Sequence, residues 1–293
     1  EVIYTTKDGY PIELNITEGF GGDLMSHTYE NGYGRISFDN DVVSIPNEAF
    51  KECTTLTTIV LPNSLSTIDS SAFENCTSLT SITIPDSVTT IGSSAFNGCT
   101  SLTSVTIGNG VTSIGSSAFS GCTGELIVNC NIPSATAAYD RAFFGADFTK
   151  VTIGDSVTSI GDYAFYDCTS LTSITISDSV TTIGGNAFYN CNSLERVDIT
   201  DIVAWCGISF YYGFSNPLSY AHNLYLNGAL VTELIIPDSV TTIGGEAFYG
   251  CTSLTSITIP DSVTTIGSDA FRGCTSLTSV NIPESVTEIG SYA

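Results

Sequence analysis

The sequence is poor in basic residues, and this scarcity excludes several classes of function. Its 293 residues include 7 Lys and Arg against 30 Asp and Glu, which gives a net charge of −23. Nucleic-acid binding needs clustered positive charge to neutralise phosphates, and anionic membrane surfaces are disfavoured for the same reason. No apolar run approaches the roughly 18 to 20 residues of a membrane-spanning helix. We therefore expect no nucleic-acid partner and no membrane insertion in this chain.

Histidines and clustered metal ligands are also scarce. The chain has two histidines, His27 and His222, and neither lies in a recognisable catalytic motif. Its 10 cysteines are spread along the chain instead of being grouped at the short spacing of zinc sites. The sequence therefore predicts no cofactor, no metal site and no catalysis.

The abundant feature is a single repeated segment. Near-copies of IPDSVTTIGSSAFNGCTSLTSIT recur with a period of 23 residues, and Cys53, Cys76, Cys99 and Cys122 are spaced at that period. Such a period indicates the stacked coils of a solenoid, because one unit cannot bury its own apolar face alone. We expect the cysteines to form a ladder of buried free thiols, because their Cβ vectors would run parallel instead of converging into disulfides.

One copy predicts the path of a coil. Residues 79–84 follow an L-x-x-I-x-I pattern, in which the two isoleucines, Ile82 and Ile84, share one face of a short strand, and Pro85 ends that strand. Gly92 is expected to permit a tight bend, and residues 95–99 to close the coil as a short helical or 3-10 segment. About eight of the 23 side chains should face inward. The equivalent strand positions along the chain are Ile36, Ile59, Ile82, Val105, Val128, Val151, Ile174, Val197, Leu234, Ile257 and Val280.

The IPDSVTTIG, AF-x-x-C and CTSLTSI elements, nearly complete at 84–107, 176–199 and 259–282, resemble the BspA-like (treponemal-type) leucine-rich repeats of surface proteins. The resemblance implies a leucine-rich repeat solenoid of bacterial origin. It also implies an adhesin or interaction module that is secreted or displayed at the cell surface. With the repeat count, the predicted fold is a right-handed solenoid of about eleven 23-residue coils, with one parallel β-sheet and short helical or 3-10 segments opposite.

The domain organisation follows from where the repeat begins and fails. Residues 1–34 do not repeat and are predicted to form a β-rich N-terminal cap, which an open solenoid needs. The solenoid is predicted to occupy 35–293, with irregular segments at 123–150 and 200–232. We place Cys206 in register with Ile183, one period earlier. The last copy stops in mid-repeat, so we expect the natural protein to continue beyond residue 293.

Large aromatic residues are concentrated in the second irregular segment, where Asn227-Gly228 predicts a β-hairpin. Exposed aromatic rings suit protein hot spots or sugar stacking. Tyr166 and Tyr189 follow the repeated Ala-Phe pair in adjacent coils and predict an aromatic stripe. The alternative is that the rings fill the core of a wider coil. The candidate ligand-binding residues are Trp205, Phe210, Tyr211, Tyr212, Phe214, Tyr220, His222, Tyr225, Tyr189 and Tyr249.

Three functions are compatible with this sequence. The first is a monomeric binding module whose ligand is a protein or glycan on a host or neighbouring cell. The second is a passive spacer of a larger surface protein, which predicts no exposed aromatic cluster. The third is a carbohydrate-active enzyme with paired carboxylates in the aromatic segment. Because the chain is acidic, a neutral glycan or a basic protein surface is favoured over an anion.

Overall fold

Short strands joined by tight turns make up most of the chain. A computed structural model describes residues 1–135, 141–211 and 214–293. It forms a β-solenoid of about ten turns, which confirms the predicted fold class with one coil fewer than expected. The chain divides into two compact units, Glu1–Val151 and Thr152–Ala293, and each is described by itself.

The strands that begin in the first unit are β1 (Val2–Thr6), β2 (Leu24–Glu30), β3 (Tyr33–Phe38), β4 (Ser44–Ile45), β5 (Leu56–Val60), β6 (Thr67–Ile68), β7 (Ser81–Ile84), β8 (Thr90–Ile91), β9 (Ser104–Ile107), β10 (Ser113–Ile114), β11 (Thr123–Val128) and β12 (Asp147–Ile153). The strands of the second unit are β13 (Ser159–Ile160), β14 (Ser173–Ile176), β15 (Thr182–Ile183), β16 (Arg196–Ile199), β17 (Ser209–Phe210), β18 (Leu224–Leu226), β19 (Ala229–Leu230), β20 (Glu233–Ile235), β21 (Thr242–Ile243), β22 (Ser256–Thr258), β23 (Thr265–Ile266) and β24 (Glu288–Ile289). Two short helices, α1 (Ile202–Cys206) and α2 (Leu218–Ala221), lie in the second unit.

The N-terminal segment that was predicted to be a cap forms an antiparallel sheet. Strand β3 pairs with both β2 and β1, and β1 then pairs antiparallel with β5 of the first regular coil, so that Tyr4 lies opposite Ile59. The predicted parallel position of Ile36 is therefore wrong, because Ile36 lies opposite Val2 in this antiparallel sheet. The cap hydrogen-bonds to the edge that the first coil would otherwise expose.

Beyond the cap, each regular coil contributes to two parallel ladders instead of the one sheet that was predicted. In the first unit, β7, β9 and β11 form one ladder, with Ile82 opposite Val105 and Val105 opposite Leu126. The two-residue strands β4, β6, β8 and β10 form the other. In the second unit, β14, β16 and β18 pair in parallel, as do β13, β15 and β17. Strand β20 likewise pairs in parallel with β22, and β23 pairs in parallel with both β21 and β24.

Two further predicted strand positions differ in the structure. Val128 lies opposite Ile107, and Leu126 takes the position expected for Val128. The reason is that β11 begins directly after Cys122, so this coil lacks the loop that separates the cysteine from the strand elsewhere. Val280 lies outside any strand, because residues 277–283 pair with no other described segment.

The core of a regular coil is the predicted set of eight side chains. Leu79, Ile82, Ile84, Val88, Ile91, Ala95, Phe96 and Cys99 are each at most 2% exposed. The phenylalanines stack along the first unit, with centroid separations of 5.0 Å from Phe50 to Phe73, 5.1 Å to Phe96 and 5.4 Å to Phe119. The structure thus confirms that stacking between coils completes a core that a single coil lacks.

The segment around each Ala-Phe pair is a series of turns, not the predicted helical or 3-10 segment. The amide groups of Ser94, Phe96 and Gly98 donate to the next coil, whereas those of Ala95 and Cys99 donate within their own coil. Ser94 and Gly98 have φ values of 56° and 73°, in the left-handed region. This alternation prevents a helix, because every second amide group points along the stack to the neighbouring coil.

Gly92 is required by close stacking and not by a bend. Its φ is not in the left-handed region, but a Cβ at this position would lie 2.4 Å from the backbone nitrogen of Ser70 in the preceding coil. Gly115 is equally constrained, with a Cβ placed 2.3 Å from the nitrogen of Ser93. The repeated glycine therefore allows the backbones of adjacent coils to approach each other.

All ten cysteines are buried free thiols, as predicted. Several of them are also hydrogen-bond donors. The Cys99 Sγ donates to the Phe73 carbonyl of the preceding coil at 3.1 Å, and Cys76 and Cys122 bond Phe50 and Phe96 in the same way. Burial raises the pKa of Cys206 to about 12 and that of Cys53 to about 11. Cysteine thus supplies both a small apolar volume and a weak donor.

The thiols should be unreactive in the native protein. At about pH 8, Ellman's reagent should titrate few groups before denaturation and close to ten afterwards, because burial and the raised pKa values remove both access and thiolate. If the count after denaturation stays several groups below ten, disulfides are present and the ladder of free thiols is contradicted.

Replacing Phe96 with Ala should cost about 3–5 kcal/mol, because the cavity removes ring contacts on both sides of the stack. The damage should be local, since repeats couple mainly to their neighbours. Hydrogen exchange should therefore increase near residues 73–119 and remain unchanged in the second unit. The exposed Tyr33→Ala is the control, and a uniform increase along the chain would refute local coupling.

Candidate functional site

The second irregular segment begins with a helix that shifts the repeat register. Asp201 caps α1 by accepting the amide hydrogen of Val203 at 2.7 Å. The register resumes at β17, where Phe210 lies opposite Ile183. The predicted alignment of Cys206 with Ile183 is therefore wrong, because the helix adds residues between the two ladder positions.

Trp205 belongs to the core of this irregular coil. Its side chain is 1% exposed, lies edge-on to Phe210 with centroids 5.4 Å apart, and donates from Nε1 to the Ala247 carbonyl at 2.8 Å. In regular coils the equivalent carbonyl accepts a phenylalanine amide, as Ala95 does from Phe73. Trp205 is therefore removed from the candidate ligand-binding set, because it replaces a missing backbone donor inside the protein.

The predicted hairpin is confirmed. Strands β18 and β19 pair antiparallel around Asn227 and Gly228, whose φ values of 51° and 81° are those of a left-handed two-residue turn. Tyr225 on β18 is half-buried beneath the guanidinium of Arg196, which lies 3.8 Å from the ring centroid and also bonds Asp198. The Tyr225 ring is thus covered by its own chain.

An aromatic row, defined as Tyr163, Tyr166, Tyr189, Phe214 and Tyr220, crosses neighbouring coils of the second unit. Successive ring centroids are 5.6, 4.8, 5.2 and 5.6 Å apart. Tyr166 and Tyr189 are stacked, as the position after the Ala-Phe pair predicted, and Phe214 meets Tyr189 edge-on. Tyr189 and Phe214 are 36% and 40% exposed, so the row presents aromatic surface to solvent.

The irregular segment is anchored to the regular coils through the last ring of the row. The Tyr220 hydroxyl accepts the amide hydrogen of Asn190 at 2.8 Å. At the equivalent position of a regular coil, the amide of Asn75 donates to a backbone carbonyl of the next coil instead. Burial raises the pKa of Tyr220. A side-chain oxygen thus completes the stack and fixes the position of the ring.

An end pocket of about 240 Å³ lies beside Phe214, within the same unit. The side chains that line it are Phe214, Ser219, Glu246, Tyr249, Asp269 and Arg272. Asp269 bonds the Arg272 guanidinium at 2.9 Å, and this guanidinium lies 5.9 Å from the centroid of the Tyr249 ring. The end pocket therefore combines two aromatic walls with two carboxylates and one cation.

Glu246 is the carboxylate in an unusual environment. Burial raises its pKa from 4.5 to about 7, the charge of Asp269 acts in the same direction, and a contact with Ser215 opposes them. The Ser215 hydroxyl lies 3.5 Å from Oε2. No ion pair to Glu246 is present among the residues that the structure describes. A carboxyl group with a perturbed pKa that lines a pocket is a candidate for a functional site.

A wider cleft of about 550 Å³ lies in the first unit beside the cap, and its lining is different. It includes Glu13, Glu48, Lys51 and Glu52, and none of its described lining side chains is aromatic. Lys51 bonds Glu48 at 3.1 Å. The cation among its described lining residues, Lys51, is paired within the chain, and the cleft offers no aromatic wall, which makes it the weaker candidate.

The structure brings some of the predicted site residues together and separates others. Tyr189, Phe214 and Tyr220 lie in the aromatic row, and Tyr249 lines the adjoining end pocket. Tyr211, three residues before Phe214 in the sequence, is 55% exposed. Phe210 is half-buried and packs against Trp205. His222 ends α2 in a left-handed conformation, with Nδ1 3.0 Å from the Gly250 carbonyl. Tyr212 lies outside the described residues.

Sequence reasoning missed Tyr163, Glu246 and Asp269. All three occupy the position before the Ala-Phe pair, and all three have left-handed φ values, between 57° and 61°. A comparison of that position across the repeats would have found them, because it holds serine in most of the early coils.

Among the described residues, no helix is long and apolar enough to span a bilayer. The same residues contain no group of three or more His, Cys, Asp or Glu side chains arranged to hold a metal ion.

The repeat matches the family model of the BspA-type leucine-rich repeat region at residues 28–144, 136–224 and 218–293. The chain therefore belongs to the BspA-type leucine-rich repeat family. No curated protein matches it. Leucine-rich repeat proteins are typically protein-interaction modules, and the repeat is a non-catalytic type of module.

Several solved bacterial structures are similar to the chain. A leucine-rich repeat protein from Bacteroides ovatus is 25% identical, with a TM-score of 0.39 and coverage of 96% of this chain and 89% of that chain. A leucine rich cell surface protein from Faecalibacterium prausnitzii is 24% identical, with a TM-score of 0.33 and coverage of 92% and 87%. An internalin from Listeria monocytogenes is 16% identical, with a TM-score of 0.33 and coverage of 78% and 67%.

Replacing Glu246 with Gln should stabilise the protein at neutral pH. The raised pKa means that the native state favours the protonated carboxyl, so its stabilising contribution is complete below about pH 4.5 and is lost as the pH rises through about 7. The variant should gain on the order of 1 kcal/mol above pH 7 after discounting for solvent screening, or about 2–4 °C in Tm. Thermal unfolding at acidic and neutral pH measures this difference. The exposed Asp238→Asn is the matched control, and parallel Tm profiles of Glu246→Gln and wild type would contradict the assignment.

Proposed function

We propose that this protein is a non-catalytic binding module of the bacterial cell surface or a secreted protein, and that it recognises its ligand through the aromatic row and the end pocket. The single observation that carries the proposal is the unbroken series of ring contacts from Tyr163 to Tyr220, with Tyr189 and Phe214 open to solvent. The surface location rests on family membership and stays a proposal for this chain.

Physical considerations favour the aromatic row over the regular coils. Regular coils present mainly Thr and Ser, and many of these hydroxyls are used within the stack, as when Thr103 and Thr112 donate to carbonyls of the preceding coil. Such a surface distinguishes poorly between partners. Rigid aromatic rings bury large areas at low entropic cost, and they dominate binding energy at protein interfaces.

The exposed rings also argue against the passive-spacer alternative. A spacer has no use for exposed aromatic surface, which raises the risk of aggregation. The Tyr220 hydroxyl moreover accepts the amide hydrogen of Asn190, which fixes this ring of the row before any ligand binds. Preorganisation of this kind lowers the entropic cost of association.

A binding array of host matrix proteins, bacterial surface proteins and glycans tests the proposal. The double variant Tyr189→Ser/Phe214→Ser should lose at least about tenfold in affinity for every ligand that the wild type captures, because two hot-spot rings are removed. The matched control is Tyr10→Ser/Tyr33→Ser, which removes two exposed rings from the first unit. Both variants should melt close to the wild-type temperature. Unchanged binding by the first double variant would refute the proposal.

A further inference from the structure

In several coils, the residue before the Ala-Phe pair and the residue after it interact through their side chains. Asp269 and Arg272 form an ion pair at 2.9 Å, as Glu48 and Lys51 do at 3.1 Å. Tyr163 and Tyr166 occupy the same two positions with rings 5.6 Å apart. The left-handed turn thus brings these two positions together in several coils. In the coils of Glu48 and Asp269, the second position holds the cation that pairs with the acid at the first.

Glu246 and Tyr249 form the exception to this pairing. Glu246 occupies the same position as Glu48 and Asp269, but Tyr249 stands where those coils have Lys51 and Arg272. This coil therefore carries the acid at the first position and an aromatic ring, instead of a cation, at the second. Because no ion pair to Glu246 is present in the described part of the chain, its charge has no partner of opposite sign at this position.

We propose that the end pocket receives the cationic end of a lysine or arginine side chain from a basic protein ligand, which would pair with Glu246 as Lys51 pairs with Glu48. This inference rests on the proposed function and narrows its ligand from a protein or glycan to a basic polypeptide. The carboxylate of Glu246 would pair with the incoming cation, and the Phe214 and Tyr249 rings would contact its stem and charged end.

The dimensions of the end pocket fit this occupant. A lysine side chain beyond Cβ has four heavy atoms, and at about 30 Å³ each it needs about 120 Å³. The pocket offers about 240 Å³, which also accommodates the larger guanidinium. Arg272 shows the same recognition within the protein, since its guanidinium bonds Asp269 and lies near the Tyr249 ring.

Charge decides between the classes of ligand. A neutral glycan would cover Glu246 and further desolvate its carboxylate without supplying a counter-charge. An anion would be repelled by Glu246 and by the net charge of −23. A basic side chain gains from both, and the acidic surface would also accelerate its encounter with the protein.

Fluorescence polarisation with a labelled oligolysine peptide tests the inference, with oligoarginine as a second probe. The measurement is made at about pH 8, above the pKa of Glu246, and at about 0.15 M salt to suppress non-specific attraction. Glu246→Gln should weaken binding about fivefold, as expected for loss of one partly exposed ion pair. Tyr249→Lys should weaken binding at least as much, because it restores the internal cation. Oligolysine with every lysine acetylated should not bind.

The matched control is Glu48→Gln, which removes the same charge from the same repeat position in a coil that has its own cation. It should change oligolysine affinity less than about twofold. Glu246→Asp, which keeps the charge, should retain most of the binding. Equal affinity of wild type and Glu246→Gln, or equal binding of acetylated oligolysine, would overturn the inference. If binding of either basic peptide depends on Glu246, the inference is supported, and the ratio between the peptides gives the preferred side chain.

The two proposals fail in different ways. If Glu246→Gln has no effect on oligolysine binding while Tyr189→Ser/Phe214→Ser still loses its array ligands, the aromatic row stands and the cation site is refuted. If the double variant keeps its array ligands while oligolysine binding depends on Glu246, the aromatic row is refuted as the binding surface and only the cation-binding chemistry of the end pocket stands.

Discussion

Hydrogen bonding between the backbones of adjacent coils is the constraint on which the rest of the structure depends. At the Ala-Phe turn, every second amide group donates to the next coil, and the parallel ladders connect the other edges of the coil. This contact is so close that Gly92 could not carry a Cβ without striking the backbone at Ser70. A coil with a different path would leave buried donors unpaired on both of its neighbours, so each coil imposes its geometry on the next.

This constraint turns positions of the repeat into columns. Equivalent positions in adjacent coils lie next to each other, because backbone hydrogen bonds join the coils. Phe73 therefore stacks on Phe96 in the core, just as Tyr166 stacks on Tyr189 at the surface. The inner columns are fixed by packing, whereas the positions flanking the Ala-Phe pair are partly exposed in most of the described coils and differ from coil to coil. Substitution at these few outer positions therefore changes a continuous stripe of surface while the fold stays the same.

The features of the chain that follow from local pattern were predictable, and those that depend on a neighbouring coil were not. Alternation predicted that Ile82 and Ile84 face inward, and Asn227-Gly228 predicted a hairpin. The burial of Trp205 could not be predicted, because it depends on the Ala247 carbonyl, which lies far along the chain and lacks its usual amide donor. The register of Cys206 was wrong because α1 adds residues that the spacing of cysteines does not reveal.

The irregular segment shows how a rigid stack can accommodate a different local sequence. Its backbone no longer supplies every donor and acceptor that the neighbouring coils require, and side chains replace them. The Trp205 indole donates to the Ala247 carbonyl, and the Asn216 side-chain amide donates to the backbone carbonyl of Glu246. The Tyr220 hydroxyl accepts the amide hydrogen of Asn190. Large polar aromatic residues suit this task because each spans the gap with a rigid ring and ends in a hydrogen-bonding atom. The concentration of aromatic residues in this segment therefore has two causes. Some rings, such as Trp205, complete the stack, and others, such as Phe214, are left on the outside by the same change of path, where they are free to contact a ligand.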